Sequence, residues 1–182
     1  MKNNDISVKG LMRYLKGPDF PTGGLVVNKD DLLRIYETGT GKLRVRGKVE
    51  TVKLKGGRQQ LVITEIPYTM IGANIGKFLN DIASLVENKK TTDIVDISNQ
   101  SSKEGIRIVL DLKRDADVEN LTNMLYKKTK LEDTFGVNML AVADGRPETL
   151  SLKQVIEHHV DFVFDVTTRK YTTLLNLSLI HI

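Results

Sequence analysis

Between residues 58 and 143 the hydrophobic pattern of the chain switches repeatedly between the period of a strand and that of a helix. The predicted helices cover 74–88 and 117–128, and the predicted strands cover 58–66, 92–98, 105–113 and 137–143. Strand, helix, strand, strand, helix, strand is the split βαβ or ferredoxin-like order, which builds an antiparallel sheet backed by two helices. The chain is therefore predicted to be an α+β protein with such a sheet.

A strand rich in cations precedes this block. Within Gly39–Lys48 the four cations Lys42, Arg44, Arg46 and Lys48 occupy every second position. Successive strand side chains point to opposite faces, so the four cations would form one row that repeats every ~6.8 Å. That spacing is close to the spacing of phosphates along a nucleic-acid strand and predicts a phosphate-binding surface. The same alternation is also what any half-buried antiparallel strand shows, and the pattern alone leaves both interpretations open.

The basic strand is also predicted to be long. It continues through Lys55, and a change of hydrophobic phase indicates a β-bulge near Glu50–Thr51. Gly56–Gly57 is typical of a two-residue hairpin turn, after which the chain would return as the strand 58–66. Together the two strands would form a long basic β-ribbon at the edge of the sheet.

The regions on either side of these strands have simpler patterns. Residues 6–14 predict a short helix, and the proline- and glycine-rich segment Gly17–Gly24 predicts an irregular boundary. A short strand at 25–27 would lead to a helix at 29–37 with Asn28 as its N-cap. Near the C-terminus, a helix beginning at Leu152 is predicted to run without Gly or Pro to about Asn176, which makes it long for a helix that closes a domain.

Charge is distributed unevenly along the chain. The formal net charge is +4, but residues 1–60 contain 13 Lys and Arg against 6 Asp and Glu, whereas residues 61–182 contain 14 against 17. A basic N-terminal third predicts a polyanionic partner. The chain lacks Cys, an apolar run of membrane-spanning length and the apolar core of a signal peptide, so we expect a cytoplasmic protein with no disulfides and no membrane partner.

Catalytic and cofactor motifs are not found in the sequence. Gly39–Lys42 is not a phosphate-binding P-loop, because the positions that need Gly and Ser or Thr hold Tyr36 and Leu43. His158 and His159 are adjacent on a predicted helix and point about 100° apart, so they cannot hold one metal ion from the same face; we expect His159 to be partly buried. The sequence thus favours a binding surface, with no catalytic, cofactor or metal-binding residues.

Five sequence blocks resemble one protein family. They are Lys16–Gly24, Tyr36–Lys42, Thr64–Tyr68, Lys113–Ala116 and Phe135–Met139, which read KGPDFPTGG, YETGTGK, TEIPY, KRDA and FGVNM. In order and spacing, over about residues 8 to 176, they resemble the A subunit of bacterial type IIA DNA topoisomerases, meaning DNA gyrase or topoisomerase IV. The resemblance covers nearly the whole chain.

This resemblance implies a domain organisation and a role. Residues 1–24 would be the C-terminal edge of the winged-helix cleavage region, 25–150 the α/β tower domain, and 151–176 the start of a long helix toward a coiled coil. Residues 177–182 depart from the charged helix of the family and are expected to be a non-native tail. The tower would bind the arms of bent gate DNA during double-strand passage, with Lys42, Arg44, Arg46 and Lys48 as the candidate contacts.

The resemblance also implies what the chain would need from elsewhere. The nucleophilic tyrosine of the family lies in an upstream block, and Tyr14 is not assigned to it because its neighbours differ. ATP and Mg²⁺ would act through the B subunit, with the A subunit forming a homodimer and then a heterotetramer with B on double-stranded DNA. This chain alone would be inactive.

Two other interpretations remain open from the sequence. The chain could be a stand-alone, non-catalytic nucleic-acid-binding module, or a structural piece whose long helix pairs with a second copy.

Overall fold

The computed structural model describes residues 5–54, 56–143 and 145–180. The helices are α1 Val8–Leu11, α2 Leu32–Thr38, α3 Ala73–Glu87, α4 Val118–Lys128 and α5 Leu152–Ile180, with single 3₁₀ turns at Lys29–Asp31 and Tyr68–Met70. The strands are β1 Leu25–Val26, β2 Thr40–Arg46, β3 Lys48–Lys53, β4 Gln59–Glu65, β5 Ile94–Asn99, β6 Ile108–Leu112, β7 Glu132–Asn138, β8 Leu140–Ala143 and β9 Arg146–Thr149. The α+β class predicted from the sequence is confirmed.

The chain divides into two compact units. The sheet unit consists of Gly17–Lys29 and Lys42–Phe135, and the helix unit consists of Met1–Lys16, Asp30–Gly41 and Gly136–Ile182. These units follow from contacts within the fold, whereas the domain limits expected at residues 24, 150 and 176 rest on the family resemblance and stay predictions.

The sheet unit contains a four-stranded antiparallel sheet in the order β3-β4-β6-β5. Its core forms because alternate residues of the two central strands face the apolar sides of α3 and α4. The fully buried members of this core include Leu61, Ile63, Phe78, Ile82, Ile108, Leu110, Leu121 and Leu125. Asp117 caps α4, because its side chain accepts a hydrogen bond from the backbone N–H of Asn120 at 3.0 Å.

The order of elements along the chain agrees with the prediction, but the order of strands in the sheet does not. In a ferredoxin-like sheet the last strand would lie beside β4; in the structure β3 occupies that edge, and β7 joins a three-stranded sheet in the order β1-β2-β7. The β3–β4 hairpin closes a short loop at Gly56 and Gly57, which both have positive φ, so β3 pairs with β4 at little entropic cost.

The predicted continuous basic ribbon is also corrected, because β2 and β3 belong to different sheets. The strands separate at Gly47, which is buried and closely packed. A Cβ at this position would lie 2.7 Å from the backbone oxygen of Glu65 and 2.7 Å from Cδ1 of Leu131. The shift in register falls between Lys48 and Val49 and not at the predicted Glu50–Thr51. Lys55, where the ribbon was predicted to end, lies outside the described residues.

The helix unit contains α1, α2 and α5 together with the β8–β9 hairpin. The predicted helix 6–14 is reduced to the four residues of α1, where the Ser7 side chain accepts a hydrogen bond from the backbone N–H of Gly10. The long C-terminal helix is confirmed: α5 has 29 residues and is therefore about 44 Å long. His159 is exposed on α5, so its expected partial burial was wrong.

The C-terminal predictions have different outcomes. The strand predicted at 137–143 is divided into the end of β7 and β8, and Asp144, predicted to close it, lies outside the described residues. Residues 177–180 continue α5 as a helix. That the last six residues are non-native stays a prediction.

Candidate nucleic-acid interface

Strand β2 has one apolar face and one cationic face, as its sequence pattern predicts. Leu43 and Val45 are almost completely buried, Lys42 and Arg44 are exposed, and Arg46 is half-buried. Strand β1 pairs with the end of β2, with Val26 opposite Val45. The burial of the two apolar residues fixes which side of β2 carries the cations.

The predicted row of four cations is shorter in the structure. Lys42, Arg44 and Arg46 share one face of β2, whereas Lys48 lies beyond Gly47 on β3, in the four-stranded sheet. The Lys48 Nζ is 3.0 Å from Oε1 of Glu50. This hydrogen bond and the negative charge of Glu50 raise the pKa of Lys48 above its ordinary value, so the lysine stays charged but is already neutralised locally.

Glu132, at the start of β7, pairs with two cations of the row. Its Oε2 accepts hydrogen bonds from Arg46 Nε at 2.7 Å and from Arg46 Nη2 at 2.5 Å. Its Oε1 lies 3.7 Å from Arg44 Nη1, which is an ionic contact without a hydrogen bond. Glu132 was not predicted from the sequence, because it follows Arg46 by 86 residues and no local pattern connects the two.

Arg46 is held by a second contact as well. Its guanidinium carbon lies 4.3 Å from the centre of the Tyr126 ring, which is a cation–π contact. The Tyr126 hydroxyl in turn donates a hydrogen bond to the backbone oxygen of Gly47 at 3.1 Å. Burial raises the pKa of Tyr126, so the phenol stays a neutral donor at physiological pH. Arg46 is therefore part of the packing around the end of β2.

Asn28 fixes the backbone of the same strand. Its Nδ2 donates to the backbone oxygen of Lys42 at 3.0 Å, and its Oδ1 accepts from the backbone N–H of Arg44 at 2.7 Å. The prediction of Asn28 as a helix N-cap is therefore wrong: a 3₁₀ turn precedes α2, and Asp31 occupies the cap position. The side-chain amide instead extends the hydrogen bonding of β1, in which Val27 N–H donates to the Arg44 carbonyl at 2.9 Å.

A second group of cations lies at one end of the four-stranded sheet. The register places Lys53 opposite Gln59, and Gln59 opposite Leu112 on β6, so residues just beyond these positions share one end of the sheet. The exposed cations at this end are Lys53, Arg58, Lys113 and Arg114. Among the described residues none of these four is within 4.0 Å of a carboxylate oxygen. This group was not predicted from the sequence, because three separate segments contribute to it.

The described ranges contain neither a metal-binding cluster nor a membrane-spanning helix. No three His, Cys, Asp or Glu residues within them are arranged to hold a metal ion. None of the helices there has the combination of length and hydropathy that a membrane span requires.

Comparison with known proteins gives one consistent family. The family model described as the A subunit of DNA gyrase/topoisomerase IV matches residues 1–179. The DNA gyrase A subunit of Clostridium acetobutylicum is 43% identical over 168 residues, which are 92% of this chain and 20% of the relative. From Staphylococcus epidermidis, the DNA gyrase A subunit is 41% identical over 170 residues, 93% of this chain and 19% of the relative. The DNA topoisomerase 4 A subunit of the same species is 37% identical over 166 residues, which are 91% of this chain and 20% of the relative.

The chain belongs to the A-subunit family of DNA gyrase and topoisomerase IV. The resemblance inferred from the five sequence blocks is thereby confirmed. The chain spans about one fifth of the length of the curated relatives that it matches. Both the gyrase and the topoisomerase 4 relatives match more than nine tenths of the chain.

Proposed function

We propose that this chain is the tower region of the A subunit of a type II DNA topoisomerase, where it binds the arms of bent gate DNA during double-strand passage. The observation that carries the proposal is the face of β2, where Lys42 and Arg44 are exposed on a strand whose backbone is fixed by Asn28 and β1. Membership of the A-subunit family supports the choice of DNA as the polyanion.

Bound DNA would be recognised by charge and shape. Bending a few tens of base pairs costs about 1–6 kcal/mol, and phosphate contacts along the arms offset that cost without reading the bases. Of the four cations predicted from the sequence, we assign direct contacts first to Lys42 and Arg44, because Arg46 and Lys48 are each held closely by a carboxylate. Arg46 and Lys48 contribute mainly to the local potential.

The proposal extends to the assembly in which this region would act. An A-subunit homodimer would combine with the ATPase B subunit in a heterotetramer, and ATP and Mg²⁺ would enter through B. The nucleophilic tyrosine of the family is expected upstream of these residues, so we assign no catalytic residue here.

Supercoiled plasmid incubated with this chain alone is expected to be neither cleaved nor relaxed, as judged by gel electrophoresis.

Replacing both exposed cations of β2 is expected to weaken DNA binding strongly. Each phosphate contact contributes about −0.9 to the slope of log K against log salt, so Lys42→Gln plus Arg44→Gln should lower the affinity for duplex DNA about 60-fold at 0.1 M salt. The slope should become less negative by about 1.8. Fluorescence anisotropy with a labelled duplex of about 30 base pairs, titrated at several salt concentrations, measures both quantities.

The matched control for this experiment is Lys77→Gln plus Lys103→Gln. These lysines are also exposed, and their replacement changes the net charge equally, but they lie on α3 and in the β5–β6 connection. The control should keep the slope of the unmodified chain. Equal losses of affinity and slope in the two double variants would show that total charge, and not the face of β2, determines binding.

A second candidate function is assembly through α5. From Asp161 onward every described residue of this helix is exposed, including the large apolar side chains of Phe162, Phe164, Tyr171 and Leu175. Phe164, Tyr171 and Leu175 are seven and four residues apart, so they form an apolar stripe on one face of the helix, which would pair with a second copy.

Dimerisation through α5 makes its own prediction. Phe164→Gln plus Leu175→Gln should weaken self-association about tenfold or more, since both substitutions remove large apolar contacts. Sedimentation equilibrium over a range of protein concentrations measures the effect, with Thr168→Gln as a control at an exposed polar position of the same helix. A chain that stays monomeric throughout would rule out this function.

A further inference from the structure

Two arginines of β2 share one carboxylate unequally. Arg46 donates two hydrogen bonds to Glu132 and also covers the Tyr126 ring. Arg44 only approaches the other oxygen of Glu132, at 3.7 Å, and makes no hydrogen bond to it. The side chains of Arg44, Arg46 and Glu132 are 56%, 36% and 18% exposed. Arg44 is thus the more accessible and the less firmly held of the two.

This inequality determines which arginine can leave for another anion. If a phosphate bound Arg44, the loss would be one long ionic contact, and Glu132 would still be neutralised by Arg46. If a phosphate bound Arg46 instead, the mostly buried carboxylate of Glu132 would lose its hydrogen-bonded partner. The Tyr126 ring would also lose its cation–π contact. Leaving a partly buried charge unpaired is strongly unfavourable. An arriving phosphate should therefore take Arg44 and leave Arg46 in place.

We propose that Glu132 sets the strength of phosphate binding on β2, by retaining Arg46 as a structural anchor and releasing Arg44 to a phosphate of duplex DNA. Glu132 acts here as a positioning residue and as a competitor of the phosphate. The consequence is that β2 binds a DNA backbone more weakly than its cation count suggests. This inference rests on the proposed function, in which the face of β2 binds DNA.

The first test removes the charge of Glu132 while keeping its shape. Glu132→Gln is expected to tighten binding of the full chain to the same labelled duplex about two- to fivefold at 0.1 M salt with little change of the salt slope, because Arg44 makes the same phosphate contact but no longer leaves an ionic contact with Glu132 to do so. Glu119→Gln makes the same change of net charge at an exposed position of α4 and should change the affinity less than about twofold. Equal gains in both variants would overturn the proposal.

The second test asks whether Glu132 acts through Arg44. In a background that already contains Arg44→Gln, the gain from Glu132→Gln should be clearly smaller, because the substitution then frees Arg46 alone, which keeps its contact with Tyr126. A gain as large as in the unmodified background would show that Glu132 does not act through Arg44 and would refute the assignment. If Lys42→Gln plus Arg44→Gln leaves binding unchanged, the proposed function itself fails; if that pair weakens binding but Glu132→Gln has no effect, only this inference fails.

A third measurement uses the unmodified chain and does not depend on the folding of any Glu132 variant. In nuclear magnetic resonance spectra of the arginine Nε–H groups, saturating duplex should shift the Arg44 signal while the Arg46 signal keeps its position. Movement of both signals, or of the Arg46 signal alone, would contradict the division of roles between the two arginines.

Discussion

Replacing Phe78 with alanine is expected to lower the free energy of unfolding by about 3–5 kcal/mol. Phe78 lies on α3 and is 1% exposed in the core between that helix and the four-stranded sheet. Its removal takes away the largest fully buried side chain of the unit and leaves a cavity that the surrounding strands can only partly fill. Urea denaturation followed by circular dichroism measures the change.

Phe162→Ala is the matched control for this substitution. It deletes the same atoms from α5, but the Phe162 side chain is 62% exposed, so the expected change is within about 0.5 kcal/mol. Similar destabilisation by the two substitutions would contradict the position of the core described above.

The second large effect is expected at the break between β2 and β3. Gly47→Ala should destabilise the chain by about 3 kcal/mol, at the upper end of the range for overpacking, since one of the two atoms that the new Cβ meets is backbone. Those atoms are the Glu65 carbonyl oxygen and Leu131 Cδ1, each at 2.7 Å. The backbone of Gly47 is held as well, because its N–H donates to the Leu131 carbonyl at 2.8 Å. The same urea titration measures the loss.

Gly76→Ala provides the control for Gly47→Ala. Gly76 lies within α3, and a Cβ there would meet nothing within 4 Å. Alanine favours the helix over glycine by about 0.5–1 kcal/mol, so this variant should be slightly more stable than the unmodified chain. If Gly47→Ala were also neutral or stabilising, close packing would not be the reason that β2 and β3 separate at this residue.

The candidate surface combines a rigid backbone with few free charges. Asn28 and β1 fix β2, and Arg46, Tyr126 and Glu132 fix the end of the strand. Lys42 and Arg44 then extend from a strand that needs little further ordering when it binds. A surface of this kind loses little conformational entropy on binding, which would favour the DNA binding proposed above.

The helices of the sheet unit were predicted closely because their signals are local. The helices predicted at 74–88 and 117–128 are observed as Ala73–Glu87 and Val118–Lys128. An apolar stripe every three to four residues and a capping aspartate depend only on neighbours along the chain. Asn28 shows the opposite case: its position before a helix resembled a cap, but its amide bonds to β2, 14 and 16 residues away.

The sequence by itself determined the α+β class, the order of the main helices and strands in the sheet unit, the alternation of buried and exposed residues on β2, and the family. Each of these depends on near neighbours or on short blocks such as KGPDFPTGG. Only the tertiary structure decided that β7 lies beside β2 in a separate sheet, that Gly47 divides the basic strand, and that Glu132 pairs with Arg44 and Arg46. Strand pairing, close packing and ion pairs join residues far apart in the chain, so no local period in the sequence records them.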